Sequence, residues 1–217
     1  MMRYTDELLV DISEILPGLL RLPFIRELTA GSLGRDRFDF YVQQDVLYLV
    51  DYTRALSLIA AKAVDAGRML QFLKYAKYSL EVEKERHDRY MAGHGIPPAT
   101  GKSPACFSYT NFLLSVAALE PVEVGMASIL PCFCVYEKVA EFIYSRASKD
   151  NPYRDWIDLY AGGEFKQATQ EAMEMTDGMA SRAGETTREK MKETFVLATK
   201  MEYMFWDSAY RKEQWVV

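Results

Sequence analysis

The chain has 217 residues, 49% of them apolar and 26% charged, with a net charge of −5. Such a chain is long enough for one sizeable core and too apolar to be disordered, and its acidic balance argues against the basic face that a general nucleic-acid binder needs. No window of 18 residues is continuously apolar, so no membrane-spanning helix is expected.

Helical periodicity runs through nearly the whole chain, and no long alternating strand pattern appears. The first predicted helix runs from Thr5, a candidate N-cap, to Leu16, and Pro17-Gly18 should stop it. Its opening, "MMRYTDELLVDISEIL", sets Asp6, Glu7, Asp11 and Glu14 among leucines, which reads as an amphipathic helix rather than a signal peptide. A short helix over Pro23 to Ala30 follows, then a long one over residues 34 to 64 and another over 68 to 92, ending at Gly93. "HGIPPATGKSPACFS" is the clearest loop, with three prolines and two glycines in fifteen residues. Further helices are predicted at 108–119, 121–147, 152–161, 163–183 and 185–213. The expected fold is all-α: one domain over residues 1–217, a helical bundle with a core of Leu, Met and aromatics.

Three cysteines in a chain of this length make no disulfide framework, which points to free thiols and a reducing cytoplasm. Cys132 and Cys134 lie two residues apart and diverge by about 200° on a helix, so they cannot grip one metal together. A buried cysteine is usually just a small hydrophobe. Cys132 has two features that favour another use. Pro131 stands directly before it inside a predicted helix, where proline typically costs about 3 kcal/mol and releases the carbonyl four residues back, that of Ala127. Tyr136 lies one turn on.

In "FDFYVQQDVLYLVDY", Tyr41, Asp45, Tyr48 and Tyr52 share one helix face. This stripe is either a half-buried aromatic face with Asp45 at its solvent edge or the wall of a flat pocket with one acceptor, suited to an amino-bearing planar heterocycle. In "TKMEYMFWDSAYRKEQW", Glu202, Phe205 and Trp206 share a face. Glu202 is either a rim glutamate paired with a lysine or a desolvated carboxyl able to act as a general acid. Glu83 and His87 in "SLEVEKERHDRY" stand four apart, but the surrounding charge reads as a solvated face, and no metal site is expected there.

Taken together, "RFDFYVQQDVLYL", "FSYTNFLLSVA", "ILPCFCVYEKVAEF", "NPYRDWIDLYAGGEF" and "MKETFVLATKMEYMFWDSAYRKEQW" resemble the TenA family, thiaminase II, along residues 20 to 215. The resemblance implies a heme-oxygenase-like fold, a homotetramer, and a small-molecule pyrimidine substrate with no cofactor, metal, nucleic acid or membrane partner. It implies hydrolysis of aminopyrimidines from thiamine breakdown, and of thiamine itself. It makes Cys132 the nucleophile and Glu202 the acid/base, with Asp45 holding the pyrimidine. Tyr48, Tyr109, Tyr136, Tyr160 and Phe205 would form the pocket. Pro131 is then expected to present Cys132 to a cavity whose neighbours favour its thiolate. Val46, Leu47 and Cys134 depart from the residues common in that family. A heme-handling protein and a non-catalytic regulator are the rival readings. His87 and His94 are poorly placed for the first, and no helix-turn-helix pattern favours the second.

Overall fold

The structure, a computed structural model, describes residues 2–216. It is all-α, and no strand occurs among the described residues. The helices are α1 (Tyr4–Asp11), α2 (Ile15–Leu20), α3 (Pro23–Ala30), α4 (Arg35–Ala61), α5 (Ala66–Tyr78), α6 (Glu85–His94), α7 (Pro104–Leu119), α8 (Val122–Ile129), α9 (Pro131–Tyr144), α10 (Arg154–Tyr160), α11 (Gly163–Ala180) and α12 (Glu185–Arg211), with a π-helical stretch, Ser79–Lys84, joining α5 to α6.

Helix α4 is the axis of the bundle and packs against α5, α7, α8 and α12. Its contact with α8 is close at Gly125, where a Cβ would meet Ile59 Cγ1 at 3.0 Å, so a larger residue there would make the Ile59 side chain give way. Trp206, Tyr41, Tyr52, Tyr109 and Tyr160 are among the largest fully buried side chains. A core built on tyrosine has to find partners for buried hydroxyls, and these partners draw the helices into fixed register.

Four of the expected boundaries need correction. The first helix is two: Pro17-Gly18 lies inside α2, because proline in a first turn forfeits no helical hydrogen bond. Thr5 is buried within α1 rather than capping it, and its backbone N–H and hydroxyl bond the Asp177 carboxylate at 2.8 and 3.2 Å. Helix α7 starts at Pro104, four residues before the expected 108, with Ser103 Oγ accepting from the Cys106 N–H at 3.3 Å. The span 121–147 is broken at Leu130, so Pro131 is the first residue of α9 and not an interior residue. At that break the Phe133 N–H bonds the Leu130 carbonyl at 3.0 Å, and the Ile129 carbonyl accepts instead from the Tyr52 hydroxyl at 3.2 Å.

Candidate active site

Side chains from six helices and the π-helical stretch meet in the centre of the bundle. Helix α4 supplies Asp45 and Tyr48, α7 Tyr109, α9 Cys132 and Tyr136, α10 Tyr160, and α12 Glu202 and Phe205. All eight residues picked out from the sequence therefore fall in one cluster. To them the structure adds Glu83 from the π-helical stretch and His87 from α6. Asp45 is 2% exposed, Glu202 1% and Glu83 7%, so neither the solvent-edge reading of Asp45 nor the rim reading of Glu202 holds.

Asp45 sits in a polar web. His87 Nε2 lies 2.7 Å from Asp45 Oδ2, and the Tyr41 hydroxyl donates to the same oxygen at 3.3 Å. Tyr41 in turn meets the Tyr136 hydroxyl at 3.3 Å and accepts from Trp156 Nε1 at 3.3 Å. The Tyr160 hydroxyl stands 3.5 Å from His87 Nε2. The aromatic walls are tightly packed: Tyr136 and Tyr160 have ring centroids 5.4 Å apart, Tyr48 and Tyr109 5.1 Å, and Tyr48 and Phe205 5.7 Å.

Glu202 accepts from the Tyr109 hydroxyl at 2.7 Å. Burial, opposed by that bond and assisted by the Asp45 charge, pushes its carboxyl up to about 8. Glu83 is likewise pushed up to about 8 by burial and by Asp45, against the Tyr160 and Ser79 hydroxyls that face it. Both shifts favour the protonated form near neutral pH. Cys106 and Cys134 are fully packed, while Cys132 is partly accessible. The expectation that neighbours favour a Cys132 thiolate fails. Burial, then Glu202, then Glu83 push the thiol well above its usual range, and only the Tyr48 hydroxyl pulls the other way. That hydroxyl is buried without a hydrogen-bond partner, a state that typically costs about 1–3 kcal/mol and leaves it free to serve a neighbour or ligand.

Glu83 and His87 were assigned to a solvated face, and the structure corrects this. A π-helical stretch takes more residues per turn than an α-helix, so the register slips and the side chains beyond it rotate relative to a straight helix. The charge-rich segment 81–88 thus turns Glu83 and His87 inward while Glu81, Glu85 and Arg86 stay exposed. Their four-residue spacing was visible in the sequence, but the slip that buries them was not. His87 Nε2 is held by Asp45, and His94 Nδ1 lies 2.8 Å from the Tyr90 carbonyl oxygen. A separate cleft of about 710 Å³, lined among others by Arg35, Phe38, Tyr90 and Tyr153, borders the cluster through His87 and Trp156 but does not include Cys132 or Glu202.

Comparison with known proteins finds relatives of the chain. The family described as TENA/THI-4/PQQC matches residues 14–212. The chain is 32% identical over 96% of its length to the thiamine biosynthesis multifunctional protein ThiED of Corynebacterium glutamicum, of which it spans only 27%. It is 32% identical to the aminopyrimidine aminohydrolase of Bacillus subtilis, over 99% of this chain and 92% of that one. The TenA homologue protein of P. horikoshii OT3 superposes with a TM-score of 0.89 at 28% identity, covering 97% of this chain and 99% of the other. A domain with a heme oxygenase-like fold from Shewanella denitrificans superposes at 0.76 with 12% identity, over 96% of this chain and 92% of that one, which bears on the fold alone.

Proposed function

The chain belongs to the TENA/THI-4/PQQC family, and on that footing we propose that it hydrolyses aminopyrimidines: 4-amino-5-aminomethyl-2-methylpyrimidine to the hydroxymethylpyrimidine and ammonia, and thiamine more slowly, in thiamine salvage. The observation that carries this reading is the meeting of a partly accessible thiol, Cys132, and a buried carboxyl, Glu202, among buried aromatic rings. The full-length Bacillus relative named as an aminopyrimidine aminohydrolase supports the substrate class.

In this reading Asp45 grips the pyrimidine by accepting from its amino group and from the N–H of the neighbouring ring nitrogen in its protonated form, with His87 and Tyr41 fixing the carboxylate. Tyr48, Tyr109, Tyr136, Tyr160 and Phe205 wall the ring. The Cys132 sulfur adds to the electron-poor ring. The ring amino group then feeds electrons toward the side-chain methylene, and Glu202 protonates the departing amine. Water adds to the methylene, Glu202 takes its proton, and the sulfur leaves. An amine must be protonated to depart, so a neutral Glu202 suits it better than a thiazole. The reading extends to a single domain over residues 1–217, a cytoplasmic homotetramer, and action without cofactor or metal.

The test is binding and turnover on separate variants. The product, 4-amino-5-hydroxymethyl-2-methylpyrimidine, should bind wild type and lose affinity on Asp45→Asn by about 1–3 kcal/mol, the cost of an unmade buried hydrogen bond. Unchanged affinity for Asp45→Asn would remove the pyrimidine from this cluster.

A further inference from the structure

The cleft beside the cluster takes no part in the reaction proposed above. It opens between the start of α4, one face of α6, and α10 with the turn before it. Its volume of about 710 Å³ falls within the ~300–1,000 Å³ of small-molecule pockets. The floor is aromatic: Phe38, Tyr153 and Trp156 are buried, and the Phe38 and Tyr153 ring centroids stand 4.4 Å apart. The rim is charged. Arg35, Arg86 and Arg89 line it and are exposed, against a single lining carboxylate, Asp155. In a chain of net charge −5 this local excess of positive charge runs against the average, and a concave wall focuses it.

The arginines are free to serve a ligand. Arg86 and Arg89 stand three apart on α6 and share a face with Tyr90. Neither makes an ion pair or a side-chain hydrogen bond among the described residues, and Asp88, the acid between them, is taken by Lys84. Arg35 has only Asp39, 3.7 Å away, and Asp39 already accepts from the Tyr90 hydroxyl at 2.9 Å. Unpaired guanidiniums present forked donors that match phosphate oxygens, and an aromatic floor suits a flat ring. We propose that this cleft binds a phosphate ester of a planar heterocycle, with Arg86 and Arg89 on the phosphate and the ring on the aromatic floor. A phosphate monoester carries close to two negative charges at neutral pH, which the three arginines offset. A bare phosphate ion would leave the floor uncovered. The cleft does not include Asp45, Cys132 or Glu202, and it meets the cluster through His87 and Trp156. Binding there is independent of the aminopyrimidine reading.

The test is isothermal titration calorimetry at physiological ionic strength. The probes are adenosine 5′-monophosphate and pyridoxine 5′-phosphate, their parents adenosine and pyridoxine, and inorganic phosphate. The proteins are wild type, the double variant Arg86→Ala/Arg89→Ala, and Asp45→Asn. Both arginines are exposed, so the double variant should fold as wild type does. At least one ester should bind wild type about tenfold or more tightly than its parent and than inorganic phosphate. It should lose about tenfold or more on the double variant, the fold-change of one or more missing charge-assisted hydrogen bonds. The hydroxymethylpyrimidine should bind the double variant within about threefold of wild type. No ester binding tighter than its parent, binding indifferent to the two arginines, or inorganic phosphate binding as tightly as the esters would overturn the assignment. Ester affinity that falls on Asp45→Asn and not on the double variant would also overturn it, by putting the ester on the catalytic cluster. So would a changed oligomeric state of the double variant without ester binding to wild type, which would give the cleft to a second copy of the chain. None of these outcomes needs turnover, so failure of the hydrolase reading leaves them decisive.

Discussion

Burial and the Glu202 and Glu83 carboxyls push the Cys132 thiol well above its usual range, so its surroundings disfavour a standing thiolate. Burial shifts Glu202 as well. Its carboxyl titrates at about 8, so it is a proton donor at neutral pH and loses that capacity above it. Glu202→Gln should lower kcat by about 10²- to 10⁴-fold with little change in KM. The wild-type kcat should fall by about tenfold for each pH unit above that value. A Gln variant that changed KM alone would take the acid role from Glu202. Asp45 and Glu202 were candidates in the sequence because each shares a helix face with aromatics, but that pattern left a solvent-edge or rim position open, and the family resemblance supplied their roles. Glu83 was not, because its neighbours Glu81, Lys84 and Glu85 read as surface and two of them, Glu81 and Glu85, are surface.

Two local departures from α-helical geometry carry the site. The π-helical stretch Ser79–Lys84 turns Glu83 and His87 inward, and the break before Pro131 begins a new helix with Cys132 as its second residue. Proline at the first helical position costs little, since no hydrogen bond is expected from that N–H. Its effect is to prevent α8 and α9 from joining. Pro131→Ala restores a donor that can reach the Ala127 carbonyl and fuse the two helices. We expect stability to change by about 1 kcal/mol or less while kcat drops by more than tenfold as Cys132 shifts. A thermal melt beside steady-state kinetics separates these; equal kcat in the variant would mean that the break does not place the thiol. Pro131 marked the break in the sequence but not its form, since one residue cannot show whether a helix kinks or restarts. The π-helical stretch has no such marker: segment 68–92 keeps good helix-forming residues throughout, and the slip shows only once the stretch packs against α4.

At the scale of the whole molecule, the all-α class, the loop over 95–103 and the aromatic core were readable, because helical periodicity and Pro/Gly punctuation report on each segment separately, whereas the helix count was not, since the nine expected helices are twelve α-helices and a π-helical stretch among the described residues. Close approach of segments is less so, as at Gly125 against Ile59 or Tyr52 on the Ile129 carbonyl. The buried acids have a consequence for stability. Glu83 and Glu202 are raised from the usual 4.5 to about 8 in the folded protein. Between those values the folded state holds protons that the unfolded state has released. Their stabilising contribution is therefore complete below pH 4.5 and is lost as pH rises through about 8. Each group contributes a slope of up to about 1.4 kcal/mol per pH unit in that window. Urea unfolding at pH 5 and pH 8 should show wild type losing more stability than Glu83→Gln; equal losses would mean that Glu83 ionises freely in the fold.

The most direct measurement is kcat/KM for release of ammonia from 4-amino-5-aminomethyl-2-methylpyrimidine by wild type and by Cys132→Ser, with thiamine cleavage followed alongside. Serine has a far higher pKa than cysteine, and no partner here would activate it. The expected result is turnover by wild type that exceeds its cleavage of thiamine, and a loss of at least about 10²-fold in Cys132→Ser while the hydroxymethylpyrimidine still binds. Wild-type preference for thiamine, or near-normal ammonia release from Cys132→Ser, would contradict it.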